Sequence, residues 1–182
     1  MRHPLPLLAL CLSLLWNAPA WGNDVPARFG LATLAGTTKA PEKIGINILQ
    51  VFALYDYENF AGHPAPENLR LRLEGNLGIT NDGHDKSFAS VNALGLYYLG
   101  RFGKSWRPYG EAGVGIIYSD FRLRGQDYYL NFNPQVGAGL EFTFNNGSAL
   151  QLGCRFHHIS NASLGAHNRG VDSMLIMLGW HF

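Results

Sequence analysis

The sequence predicts an all-β fold, an eight-stranded antiparallel up-and-down transmembrane β-barrel, and three observations carry that expectation. Side chains alternate between apolar and polar with period two in eight separate segments. Within the clearest of those segments the charged residues keep to the parity opposite the apolar ones. The chain ends on MLIMLGWHF, an alternating run that closes on an aromatic residue. Composition agrees, since 182 residues with 22 Gly, 13% aromatic and 15% charged side chains suit one β-rich domain.

The first segment is not part of that fold. Arg2, an apolar run from Leu5 to Trp16 and the small-residue pattern Ala18-Pro19-Ala20 read as a secretory signal peptide over 1–20, leaving 21–182 as the barrel. The apolar run falls short of the ~20 residues that a spanning helix needs. A lipoprotein signal around Cys11 would want a small residue before it, where Leu10 stands. Without residues 1–20 the formal charge falls from +1 to 0 through loss of Arg2, and no long basic run remains, so nucleic acid is not an expected partner. Cys154 is then the one cysteine, and no intrachain disulfide is expected.

Strands are expected near 27–36, 44–57, 67–79, 88–99, 107–119, 129–144, 148–160 and 172–182, with turn chemistry between them in TNDGHDK, GRFGKSW, RGQD and the NNG of 145–147. In the third, Leu69, Leu71, Leu73, Leu77 and Ile79 share one parity, and Asn68, Arg70, Arg72, Glu74 and Asn76 the other. In the sixth, Phe132, Val136, Ala138, Leu140, Phe142 and Phe144 oppose Asn131, Asn133, Gln135 and Glu141. Glu111 and Arg155 also oppose their strands' apolar residues. A soluble sandwich would bury the apolar side, whereas a small membrane barrel turns it to lipid and packs the polar side as an interior network. The C-terminal run resembles the terminal strand of bacterial outer-membrane proteins, and Tyr97, Tyr98, Trp106, Tyr109, Tyr118 and Trp180 fall near strand ends, where interfacial girdles belong. These favour the membrane barrel. Arg70, Arg72, Glu74, Glu111, Glu141 and Arg155 are its expected interior network. Pro134 removes a ladder hydrogen bond from a paired strand and should make either a bulge or groove opposite His158 or an ordinary irregularity at the edge of the bilayer.

Within such a barrel both termini share the periplasmic side, so the hairpin of about 161–171 is external. His158 and Ser160 then lie at the outer end of the seventh strand on the lipid-facing parity, roughly 6.7 Å apart along the chain. Pairing symmetric about residue 166 would set Asp172 opposite Ser160. A hydroxyl, an imidazole and a carboxylate so gathered suit nucleophilic acyl transfer. The same three residue types also suit a strand entering the headgroup zone. Of the other histidines, His157 should point inward near Arg155, His167 lies in the loop, His181 points inward at the periplasmic end, and His63 and His84 fall in turns. None has metal-ligand spacing, so no metal and no cofactor are expected.

The strings FHHISNAS and NRGVDS resemble the signature of the PagL-type lipid A 3-O-deacylases, outer-membrane acyl hydrolases. The resemblance lies in the last two strands and implies an eight-stranded barrel with its active site on the lipid-facing wall. It implies Ser160 as nucleophile and His158 as general base, with Asp172 where the family usually carries Glu and Ser163 where it usually carries Gly. Asn161 and Asn168 match asparagines of the motif and either donate to an oxyanion or hold the loop. The expected function is hydrolysis of the ester-linked 3-hydroxyacyl chain at position 3 of lipid A, by a carboxylic ester hydrolase of the serine type. The expected partners are lipid A or lipopolysaccharide and the surrounding outer-membrane lipids, with a homodimer left open. The alternatives are a non-enzymatic structural or adhesion barrel, and a phospholipase or acyltransferase using the same groups.

Overall fold

A computed structural model of the chain describes residues 27–40, 43–81, 85–119 and 125–182; the expected signal peptide and His84 lie outside them. The described residues form β1 (Ala27–Ala40), β2 (Gly45–Asp56), a short helix α1 (Tyr57–Ala61), β3 (Leu69–Asn81), β4 (Asp85–Tyr98), β5 (Trp106–Ser119), β6 (Leu130–Phe132), β7 (Gln135–Thr143), β8 (Ala149–Ile159) and β9 (Val171–His181). Neighbours pair antiparallel, and β1 pairs with β2 on one side and β9 on the other, so the sheet closes on itself. Closure leaves no edge whose N–H and C=O groups would face lipid unpaired.

β6 and β7 are one strand of the barrel in two pieces. Ile116 faces Phe132 and Gly113 faces Gln135 on β5, one unbroken register across the gap. The gap is Asn133-Pro134, where the ring has no N–H to donate to the ladder. The barrel is therefore eight-stranded as expected, and of the outcomes open for Pro134 the structure has an irregularity, an interruption with no inserted residue, and not a bulge. Pro134 still accepts a hydrogen bond from the His158 N–H, at 3.0 Å.

The predicted parities hold where charge marks them. Leu152, Met174, Ile176, Leu178 and Trp180 are exposed on the outer wall, while Gln151, Arg155, His157, Ser173 and His181 are buried inside. Arg155 makes two contacts with Glu74, at 2.9 and 3.0 Å, and reaches Glu111 at 2.7 Å, and Arg72 meets Glu74 at 2.8 Å. Around this knot Gln50, Gln151, Asn76 and Ser90 continue the hydrogen bonds. Glu141 forms a second group with Tyr98, Gln151 and His181. Arg70 is a correction: it leaves the network for the rim, pairing with Asp56 at 2.7 Å.

Two further corrections concern the faces. Tyr98 and Tyr109 are buried in the lumen, edge to face with each other, so neither joins a girdle. Trp106, Phe142, Phe144 and Trp180 do form an outward belt near the termini, with consecutive ring centroids 4.8, 4.9 and 5.1 Å apart. The interior is also less polar than expected. Ile46, Ile48, Phe52 and Leu54 of β2 point inward with Ala32 and Leu34 of β1, giving an apolar half to the lumen. Strand β2 is apolar on both faces, since Leu49 and Val51 are exposed on the outside.

Candidate active site on the outer wall

Strands β8 and β9 pair so that His158 stands directly opposite Asp172 and Ile159 opposite Val171. This corrects the expected register, in which Ser160 faced Asp172, by two residues. Directly opposed side chains start with Cβ atoms only ~5 Å apart, close enough for the short aspartate to reach the ring. Asp172 Oδ1 lies 2.6 Å from His158 Nδ1, with the two side chains 43% and 35% exposed on the outer wall and so open to a ligand. An aspartate accepting at Nδ1 fixes the tautomer that leaves a lone pair on Nε2.

Ser160 continues on the same face, two residues along. Its backbone pairs both ways with Phe132, at 2.8 and 3.0 Å, so the segment beyond the Pro134 gap is held in line. No hydrogen bond joins its hydroxyl to His158 in this structure. Below it the outer wall is apolar, with Phe132, Val136, Met174 and Ile176 exposed.

Gly170 was not singled out in the sequence, although it stands two residues before Asp172. A Cβ placed there would lie 2.5 Å from His158 Cε1 and 3.1 Å from Nε2, so the imidazole lies against a bare backbone. Gly170→Ala is expected to push the ring from Asp172 with little loss of fold, since the added Cβ would meet the imidazole and not a backbone atom. The His158 ring resonances by NMR would check this, and an unmoved ring would refute it.

The loop from Asn161 to Gly170 is tied at both ends. The Asn168 carboxamide oxygen accepts from the Asn161 N–H at 2.9 Å and its Nδ2 donates to Ser163 Oγ at 3.3 Å. Buried Asn161 donates through Nδ2 to the His167 carbonyl at 2.9 Å. Ala162 and Ser163 carry φ values of 52° and 61°. That left-handed backbone costs a residue with a Cβ about 1–2 kcal/mol, which is the physical reason a glycine suits position 163. The segment between β5 and β6 braces the loop from the side. The Gln126 side chain donates to the Arg169 carbonyl at 2.7 Å, and Asp127 accepts from the His167 N–H at 2.7 Å. Tyr128 donates from its hydroxyl to the Leu164 carbonyl at 3.2 Å. The backbone N–H of His167, seconded by its ring, holds the Asp127 carboxyl below its ordinary value. A lowered value means the brace is present at neutral pH and lost only as the pH falls through it. In the sequence the RGQD segment reads only as a turn.

His157 and His181 are placed as the parity implied, and His63 lies in a bend as its turn placement implied. His157 is buried in the lumen against Asn133, His181 is inside at the terminal end with Glu141, and His63 packs on Tyr57.

The description "Lipid A 3-O-deacylase (PagL)" belongs to the family model that matches residues 61–181, well over half of the chain. The chain belongs to the PagL lipid A 3-O-deacylase family. The barrel is similar to the crystal structure of the outer membrane enzyme PagL, with 23% identity, a TM-score of 0.63, and coverage of 82% of this chain and 97% of that one. It is also similar to Neisserial surface protein A (NspA), with 15% identity, a TM-score of 0.65, and coverage of 85% and 95%. These likenesses place the fold among outer-membrane barrels. No curated protein matches the chain.

Proposed function

We propose that the protein is a lipid A 3-O-deacylase that cleaves the ester-linked 3-hydroxyacyl chain in the outer leaflet, with Ser160, His158 and Asp172 as its catalytic groups. The observation that carries this reading is the 2.6 Å contact between His158 and Asp172 on the outer wall of the barrel. Polar groups there are costly unless they pair or act. A lipid substrate meets them without leaving its leaflet.

His158 Nε2 takes the proton of Ser160 as Oγ attacks the ester carbonyl carbon. The tetrahedral intermediate collapses, the bond from the acyl carbon to the sugar oxygen breaks, and His158 returns the proton to that oxygen. Water, deprotonated by the same nitrogen, then releases the fatty acid from Ser160. Asp172 keeps the imidazole in its tautomer and balances its transient charge. Catalytic hydrogen bonds are commonly loose without substrate, so a serine not yet bonded to the ring suits this scheme. Asn161 holds the loop from inside. Asn168 holds it from outside and keeps one N–H of its carboxamide for the oxyanion.

The test is the mass spectrum of lipid A from cells of defined lipid A structure that express the protein. The expected result is loss of one 3-hydroxyacyl group, strongly reduced in Asp172→Ala. Unchanged lipid A with well-folded barrel in the membrane would favour a structural or adhesion role instead. Released phospholipid fatty acid would point to a phospholipase.

A further inference from the structure

Resting on the deacylase reading, we propose that Lys39 forms an anion subsite beside the catalytic groups, where it binds a phosphate group of the glycolipid. The pairing of β1 with β9 runs regularly to Thr38 opposite Ser173 and then resumes at Ala40 opposite Asp172, so Lys39 is an inserted residue. A bulge of this kind sets two residues against one and re-aims the extra side chain. Lys39 is exposed, following buried Thr38, and belongs to the outer wall with exposed Thr37. Its Nζ lies 5.8 Å from the centroid of the Phe156 ring. The side chain therefore crosses β9 and ends over β8, two residues from His158 and on the same face.

A lysine on a lipid-facing wall is costly unless its ammonium reaches the headgroup zone or an anion. The carboxylate beside it in the register, Asp172, is engaged by His158. The bulge thus delivers a cation next to the reaction centre. Lipid A is a phosphorylated glycolipid, so it can bring an anionic group and an acyl ester to this wall together. An ammonium is a point charge that suits phosphate without demanding a fixed fork geometry. Holding that phosphate would place the ester at Ser160 through remote binding, and the contact would be the same in ground and transition states.

The experiment measures binding in detergent micelles on a Ser160→Ala background, with fully phosphorylated lipid A, dephosphorylated lipid A and phosphatidylglycerol as probes. Lys39→Met is expected to weaken binding of the phosphorylated lipid about tenfold, the effect of one charge-assisted contact. It should leave the dephosphorylated lipid unchanged, while Lys39→Arg retains affinity and Lys43→Met, on the same rim, changes it little. With Ser160 present, Lys39→Met should raise KM by the same factor at unaltered kcat, the mark of uniform binding. Equal affinities of Lys39→Met and its parent for both forms of lipid A would overturn the subsite. So would an equal loss with phosphatidylglycerol, since any lipid phosphate would then be the ligand. Failure of the wild type to hydrolyse lipid A, with Lys39-dependent binding intact, would instead overturn the deacylase reading.

Discussion

Ser160→Ala is expected to leave lipid A at full mass in a barrel that still folds. On the proposed mechanism the rate is expected to fall by roughly 10⁴-fold or more, since loss of the nucleophile would leave only what oxyanion donors and binding supply. Folding should be spared for a local reason. The backbone of Ser160 carries its structural contacts, both hydrogen bonds to Phe132, and alanine keeps those. The side chain is half-buried at the end of β8, where the loss of one hydroxyl opens no cavity. The check pairs the lipid A mass spectrum with heat-modifiable migration of the barrel on a denaturing gel. Deacylation within tenfold of wild type by a folded Ser160→Ala protein would remove Ser160 from the mechanism. Alanine at His158 should match that loss, because hydroxyl and base act as a unit.

The strand pattern was legible because lipid outside and a charged network inside force opposite chemistry onto alternate residues. Where both faces are apolar the signal loses direction: β2 carries Ile46, Ile48 and Phe52 inward and Leu49 and Val51 outward, and parity alone names neither face. Tyr97 and Tyr98 are equally near a strand end, yet Tyr97 is exposed and Tyr98 is buried against Glu141. Nearness to the interface could not decide between them.

At the site, residue types and shared face were readable while the pairing was not. A hairpin symmetric about residue 166 assumes that the turn obeys only its own strands. Here the loop carries two left-handed residues, Ala162 and Ser163, and is pinned by Gln126, Asp127 and Tyr128 from another connection. Long-range contacts of that kind set the register two residues away, bringing Asp172 opposite His158. The Lys39 bulge was hidden for the same reason, since an inserted residue shows only when two strands are aligned. Pro134 was the exception. Its missing N–H is a covalent fact, and the lost ladder bond followed directly, although the absence of a bulge did not.

Arg155→Met is expected to destabilise the barrel by about 3–5 kcal/mol, the cost of leaving buried charge uncompensated. Arg155 sits between Glu74 and Glu111, with contacts of 2.9 and 2.7 Å, and its side chain is 1% exposed. Two arginines and two glutamates balance in this knot. Methionine keeps much of the volume but leaves two carboxylates facing Arg72 alone. The double variant Arg155→Met, Glu111→Gln restores neutrality and should recover more than half of the loss, a coupling that an independent packing defect would not produce. Urea unfolding in detergent micelles measures both, and a single variant within about 1 kcal/mol of wild type would refute the argument. The consequence reaches the outer wall, because Arg155 and His158 belong to the same strand. The network that fixes Arg155 from within four other strands also fixes the height at which β8 presents the imidazole on the outer wall, so on the proposed mechanism Arg155→Met should lower deacylation even under conditions where the barrel remains folded.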